Sequence, residues 1–166
     1  MYSSTNMTYN NFLTPNLFKV ATLYNVEANT VQYTMSGTQS AQALSMLLYG
    51  TRQYDWVLYM VNNVVHPIYD WYMDNETLHE YITDKYEDSN GVNYFYHLTT
   101  NKRLTDTDEV NARYAYSNGT LPQFIGVKTN YEHEVDINDA RATIRIVPTT
   151  SILSFITNYK RQVDSL

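Results

Sequence analysis

The chain contains no cysteine, and that single absence removes disulfides, thiolate metal sites and cysteine nucleophiles together. It fits folding in a reducing cytoplasm without requiring it. Cations are also scarce, with 11 Lys and Arg against 17 Asp and Glu and a formal net charge of -6. Nucleic-acid affinity comes mostly from clustered cations that displace counterions, so DNA and RNA are not expected partners. No apolar run approaches the length that spans a bilayer, so no membrane partner is expected. The opening stretch Met1 to Asn11 is polar, lacking both a basic start and an apolar centre, so no secretory signal is expected there.

Chemistry is equally thin. The four histidines, His66, His79, His97 and His133, are isolated, with no second histidine at i+3 or i+4, so no zinc site is expected. Asp136 and Asn138 lack the other oxygen ligands and the glycine of a calcium loop. No glycine loop that could cradle phosphates is present. Glu132, Glu134, Asp136 and Asp139 cluster around His133, a set from which a hydrolase could draw an acid and a base. Carboxylates on a solvated helix or turn would look the same, and no apolar pocket signal accompanies them. The sequence therefore predicts no enzyme, no cofactor and no metal. Asn75-Glu76-Thr77 and Asn118-Gly119-Thr120 fit the glycosylation pattern, but no secretory signal supports that use.

What the chain does have is aromatic surface: 17 tyrosines and two tryptophans in 166 residues. Tyr69, Trp71 and Tyr72 form one cluster and Tyr94, Phe95 and Tyr96 another. Tyrosine gives large contact area at low side-chain entropy cost and is enriched where chains meet. β-Strands favour aromatics too, so the surplus is shared between interface and intrachain packing, with interface preferred. Trp56 is expected in the core, and Trp71 at an interface.

Along the chain, residues 1–30 are rich in Asn and Thr, with one apolar patch at Leu17, Phe18, Val20, Leu23 and Tyr24. That is the pattern of an arm that docks. Met1 to Asn16 is too polar to bury much area alone, so the arm is expected to order only on docking. Val31, Tyr33 and Met35 alternate with Gln32 and Thr34 as a strand, broken at Ser36-Gly37. Ala41, Leu44, Leu47 and Leu48 then follow at helical spacing, with Thr38 or Ser40 as N-cap and Gly50 as a left-handed C-terminal cap. Trp56, Val57, Met60 and Val61 mark a second helix that stops at Asn62-Asn63, and Val64 to Met73 returns extended past Pro67. The unit reads strand, helix, helix, strand. A third helix carries Leu78, Tyr81, Ile82 and Tyr86, capped by Asp74 or Asn75.

Residues 87–130 are expected to be a β-rich and loop section. It holds a strand at Val92 to Leu98, an exposed loop over Thr100 to Asn111, and an Asn118-Gly119 turn between Tyr114-Ala115-Tyr116 and Phe124-Ile125. Residues 131–166 close the chain with a strand over Ala142 to Val147 and an amphipathic helix carrying Ile152, Phe155, Ile156, Tyr159 and Val163.

Tyr33-Thr34-Met35-Ser36-Gly37-Thr38, followed by Ala43 to Gly50 and by Asn63, is similar to the opening of a LysM module, a βααβ unit. The continuation Leu48-Tyr49-Gly50-Thr51-Arg52-Gln53-Tyr54-Asp55-Trp56-Val57-Leu58 and the exit His66-Pro67-Ile68-Tyr69-Asp70-Trp71 narrow the match. Together they resemble the baseplate wedge protein 53 family of contractile-tailed bacteriophages more closely than glycan-binding LysM repeats. The likeness continues through Leu78 to Tyr86 and returns at Thr129 to Glu134, Asn138, Arg141 and Ile144 to Pro148, covering roughly residues 31–86 and 127–163. Tyr72 departs from the family, which commonly has proline after the tryptophan.

The resemblance implies an α+β fold: a LysM-like core plus third helix over 31–86, the β-rich middle, the closing strand and helix, and the N-terminal arm. It implies a structural subunit of a virion's tail baseplate, present in six copies or a multiple and assembled in the bacterial host cytoplasm. That subunit would clamp onto other wedge proteins and help join neighbouring wedges around the central hub. Partner-contact residues are expected at Leu17, Phe18, Tyr69, Trp71, Tyr72, Tyr94, Tyr96, Ile152, Phe155 and Tyr159. The alternative is a peptidoglycan-binding LysM module, with Trp56, Trp71 or Tyr72 stacking on sugar rings.

Overall fold

A computed structural model describes residues 29–163, so the docking arm's patch, with Leu17 and Phe18, lies outside the described residues. The chain divides into two compact units. Of the described residues, unit 1 takes 29–72 and 141–163, and unit 2 is the continuous stretch 73–140. The class is α+β, with six helices and two small antiparallel sheets among the described residues.

In unit 1, strand β1 (Val31–Thr34) is followed by helix α1 (Ala41–Tyr49). The Ser40 hydroxyl caps α1 by accepting from the Ala43 N–H at 3.2 Å, satisfying one of the donors that a helix start leaves open. Gly50 ends it at φ 72°, where a side chain would be strained, and its N–H returns to the Met46 carbonyl. Ala41 and Leu44 turn inward, whereas Leu47 is exposed, so the inward stripe is narrower than the sequence suggests. After a short 3-10 turn at Arg52–Tyr54, helix α2 (Asp55–Val61) buries Val57, Leu58 and Val61.

The next segment departs from expectation. Val64 to Met73 forms no strand; β1 pairs instead with β4 (Thr143–Ile146), from Val31 opposite Ile146 to Thr34 opposite Thr143. The reason is local. Asp70 Oδ2 accepts from the Val65 and His66 N–H groups at 3.1 and 2.7 Å, and the Asp70 N–H bonds back to the His66 carbonyl. These bonds satisfy the backbone within a turn, and Pro67 has no N–H to offer a ladder. The strand, helix, helix, strand order survives, but residues 143–146 supply its last member.

Asn62 fixes that arrangement. Its side-chain amide donates to the Leu58 and Arg145 carbonyls, both at 2.8 Å, and accepts from the Arg145 N–H at 2.7 Å, tying the end of α2 to β4. Helix α6 (Ile152–Val163) then seats Ile152, Phe155 and Ile156 against Val57, Val61 and Val147. A second cluster joins Met35, Leu44, Leu58, Trp71, Ile144 and Ile146. Tyr49 packs against both clusters, and its hydroxyl donates to the Val147 carbonyl at 2.9 Å. Burial pushes this phenol up to about 12, so it remains a donor at any physiological pH.

Unit 2 begins with helix α3 (Asn75–Lys85), capped by the Asp74 carboxylate accepting from the Thr77 N–H at 2.8 Å. Strand β2 (Val92–His97) pairs antiparallel with β3 (Ile125–Thr129), with a bulge between Val92 and Tyr94. Between them lies helix α4 (Asp106–Ser117), where the sequence reading has an exposed loop running on towards the Asn118-Gly119 turn. The polar stretch conceals the helix because only Ala112 is buried along it. Its first turn does carry Asp106, Asp108 and Glu109, which favour a helix N-terminus.

Helix α5 (Asn130–Ala140) closes the unit. The buried Asn138 amide accepts from the Met73 N–H at 2.8 Å and donates to the Met73 carbonyl at 2.9 Å, binding the two ends of unit 2 together.

Candidate docking surfaces

The predicted contact residues separate into two sets. Trp71 is buried, its indole N–H donating to the Gln39 carbonyl at 2.7 Å and its ring meeting Tyr59 edge-on at 5.5 Å. Ile152 and Phe155 are buried as well, so all three serve unit 1's own packing. Their burial corrects the placing of Trp71 on a partner-facing surface: the sequence reads its segment as an extended exit with aromatics on both sides, but the Trp71 side chain turns back into the core. Trp56, expected in the core, is only half-buried and packs against half-buried Tyr159 with ring centroids 4.9 Å apart. Tyr72, Tyr94 and Tyr96 are half-buried, and Tyr69 is exposed.

Tyr69 stands on a well-braced turn. Its ring stacks on His66 at 4.5 Å, its N–H bonds to His66 Nδ1 at 3.2 Å, and Asp70 holds the loop from inside. Arg141 lies 3.9 Å from Asp70 on the other side. Exposed Val65 and Ile68 share the turn with Tyr69, giving unit 1 an apolar platform on a hydrogen-bonded base. Val65 and Ile68 carry no signal in the sequence beyond being apolar beside a proline.

Unit 2 has its own apolar surface. Leu98 and Phe124 are exposed and linked through the backbone, the Leu98 N–H donating to the Phe124 carbonyl, while Phe124 stacks on His97. On α4, Val110 is 66% exposed and Tyr114 74% exposed. Their i, i+4 spacing puts both on one face, turned away from Ala112. The same i, i+4 spacing of Val110 and Tyr114 is the signal in the sequence that marks this face.

The carboxylates near His133 lie on α5, and three of them make specific contacts. The Glu134 side chain is 2% exposed, 2.8 Å from Lys85 Nζ, and accepts from the Tyr86 hydroxyl at 2.7 Å. Burial alone would raise this carboxyl, but the hydrogen bonds from Lys85 and Tyr86 outweigh it and hold it below the ordinary carboxylate range. For Lys85 burial pulls down, and the bonds to Glu134 and Tyr81 more than reverse that. Glu132 accepts from the Thr129 N–H, and Asp136 meets Lys128 at 2.7 Å. Glu134 therefore braces α3 against α5 rather than sitting on a solvated face.

The family model of base plate wedge protein 53 matches residues 4–119. It runs through the middle section that the resemblance leaves unaligned. The baseplate wedge protein gp53 of Enterobacteria phage T4 is 28% identical over 143 residues, covering 80% of this chain and 72% of that protein. With apolar platforms on both units and a family match over most of its length, this chain belongs to the base plate wedge protein 53 family.

Proposed function

We propose that this chain is a non-catalytic structural subunit of a phage tail baseplate wedge, clamping onto other wedge proteins and helping to join wedges around the central hub. Six copies, or a multiple of six, would serve each baseplate, assembled in the host cytoplasm. Family membership supports the baseplate role, and the observation that carries the clamping role is the exposed apolar surface on two separate units. Val65, Ile68 and Tyr69 offer one contact, and Val110, Tyr114, Leu98 and Phe124 offer others. Large aromatic and aliphatic side chains left in water are the raw material of obligate interfaces. Two such units on one chain suit a joint between neighbours better than a single attachment.

A phage carrying a nonsense codon in this chain's gene tests the reading. Wedges that accumulate singly and join once the purified chain is added would support it. Complete baseplates formed without the chain would refute it.

A further inference from the structure

We infer that unit 2 docks through the outward face of α4, around Val110 and Tyr114, onto a protein surface with an apolar centre ringed by Lys and Arg. The inference rests on the wedge reading and adds the chemistry of one partner surface.

The face is unusual for its helix. Ala112 is the one buried residue of twelve on α4, so the helix contributes little to its own unit's core, while Val110 and Tyr114 point the other way. Intrachain contacts already engage the cations on and beside the helix: Arg113 lies 3.0 Å from Glu109 and over the Phe95 ring, and Arg103 lies 3.8 Å from Glu109 and over the Tyr94 ring. Among the described residues, Asp106 and Asp108 at the start of the helix have no ion partner.

Charge selects the occupant. Residues 73–140 hold thirteen Asp and Glu against five Lys and Arg, a formal charge of -8, whereas the rest of the chain holds four against six and stands at +2. A nucleic acid would be repelled by unit 2. A second copy placing the same face against it would bring two charges of -8 together. A cationic protein surface is the occupant that this field attracts and orients, speeding encounter while the apolar centre holds the complex.

The test uses wedge complexes isolated from cells infected with the nonsense-codon phage, and the purified full chain as wild type, V110S/Y114S and Y114F. Both side chains are mostly exposed, so the double variant should melt within a few degrees of wild type. The expected result is a loss of affinity of about tenfold or more for V110S/Y114S, with Y114F close to wild type. Wild-type affinity should fall by about tenfold between roughly 0.05 M and 0.5 M salt. Equal affinity of wild type and V110S/Y114S would overturn the docking face. Affinity unchanged or raised by salt would overturn the cationic occupant, and self-association abolished by V110S/Y114S would assign the face to a second copy instead. Failure of the wild-type chain to bind any wedge complex would remove the wedge reading itself, and the inference with it.

Discussion

Unit 1 gathers eight and six buried apolar side chains into two clusters that share Tyr49, whereas unit 2 holds two clusters of three and closes on an amide clamp and an ion pair. The two therefore differ in what stabilises them. Burial of large apolar side chains contributes about 1.5–3 kcal/mol each, so unit 1 draws more on its core than unit 2 does. Unit 2 depends more on directional contacts, and its exposed aromatics remain available to partners.

Breaking unit 1 should produce the largest effect. Phe155→Ala removes an almost fully buried ring that packs from α6 onto Val57, Val61 and Val147, and should lower stability by about 3–5 kcal/mol in urea unfolding. Hydrogen exchange should then rise first within Ala41–Tyr49 and Asp55–Val61.

In unit 2 the amide clamp is the sharpest target. Asn138→Ala leaves the Met73 N–H and carbonyl without their partner, which should cost about 2–3 kcal/mol. Exchange across α3 and α5 would report the loss.

Glu134→Gln should cost somewhat less, about 2 kcal/mol, because Lys85 is 42% exposed and regains water when its partner is neutral. Its signature is the pH profile. The Glu134 carboxyl lies below its unfolded value, so the pair's contribution is complete above about pH 4.5 and is lost as pH falls through the lower folded value. Wild type should therefore lose stability in that acid window, and Glu134→Gln should flatten the loss.

The smallest effect expected is that of Gly50→Ala. At φ 72° the added methyl group strains the cap by about 1 kcal/mol, which thermal melting of unit 1 would register.

The parts of this comparison legible in the sequence are local ones. Ser40, Gly50 and Asp74 sit where capping chemistry requires them, and the spacing of Ile152, Phe155 and Ile156 marks α6 without help from any distant residue. The pairing of β1 with β4 was not legible, because it joins residues about a hundred positions apart and depends on Asn62 reaching Arg145. Helix α4 escaped because periodicity reports burial, and this helix buries one residue. Trp71 is buried and Trp56 only half-buried, an order that nothing in the immediate neighbours of either residue encodes. Among the predicted contact residues that the structure describes, Tyr69 is the one left exposed, and its neighbours Val65 and Ile68 join it only in the fold.

Quantitative mass spectrometry of purified baseplates would show whether this chain is a stoichiometric part of them. This chain should be found among the baseplate proteins at six copies or a multiple. Baseplates that are complete and infective without it would contradict the account.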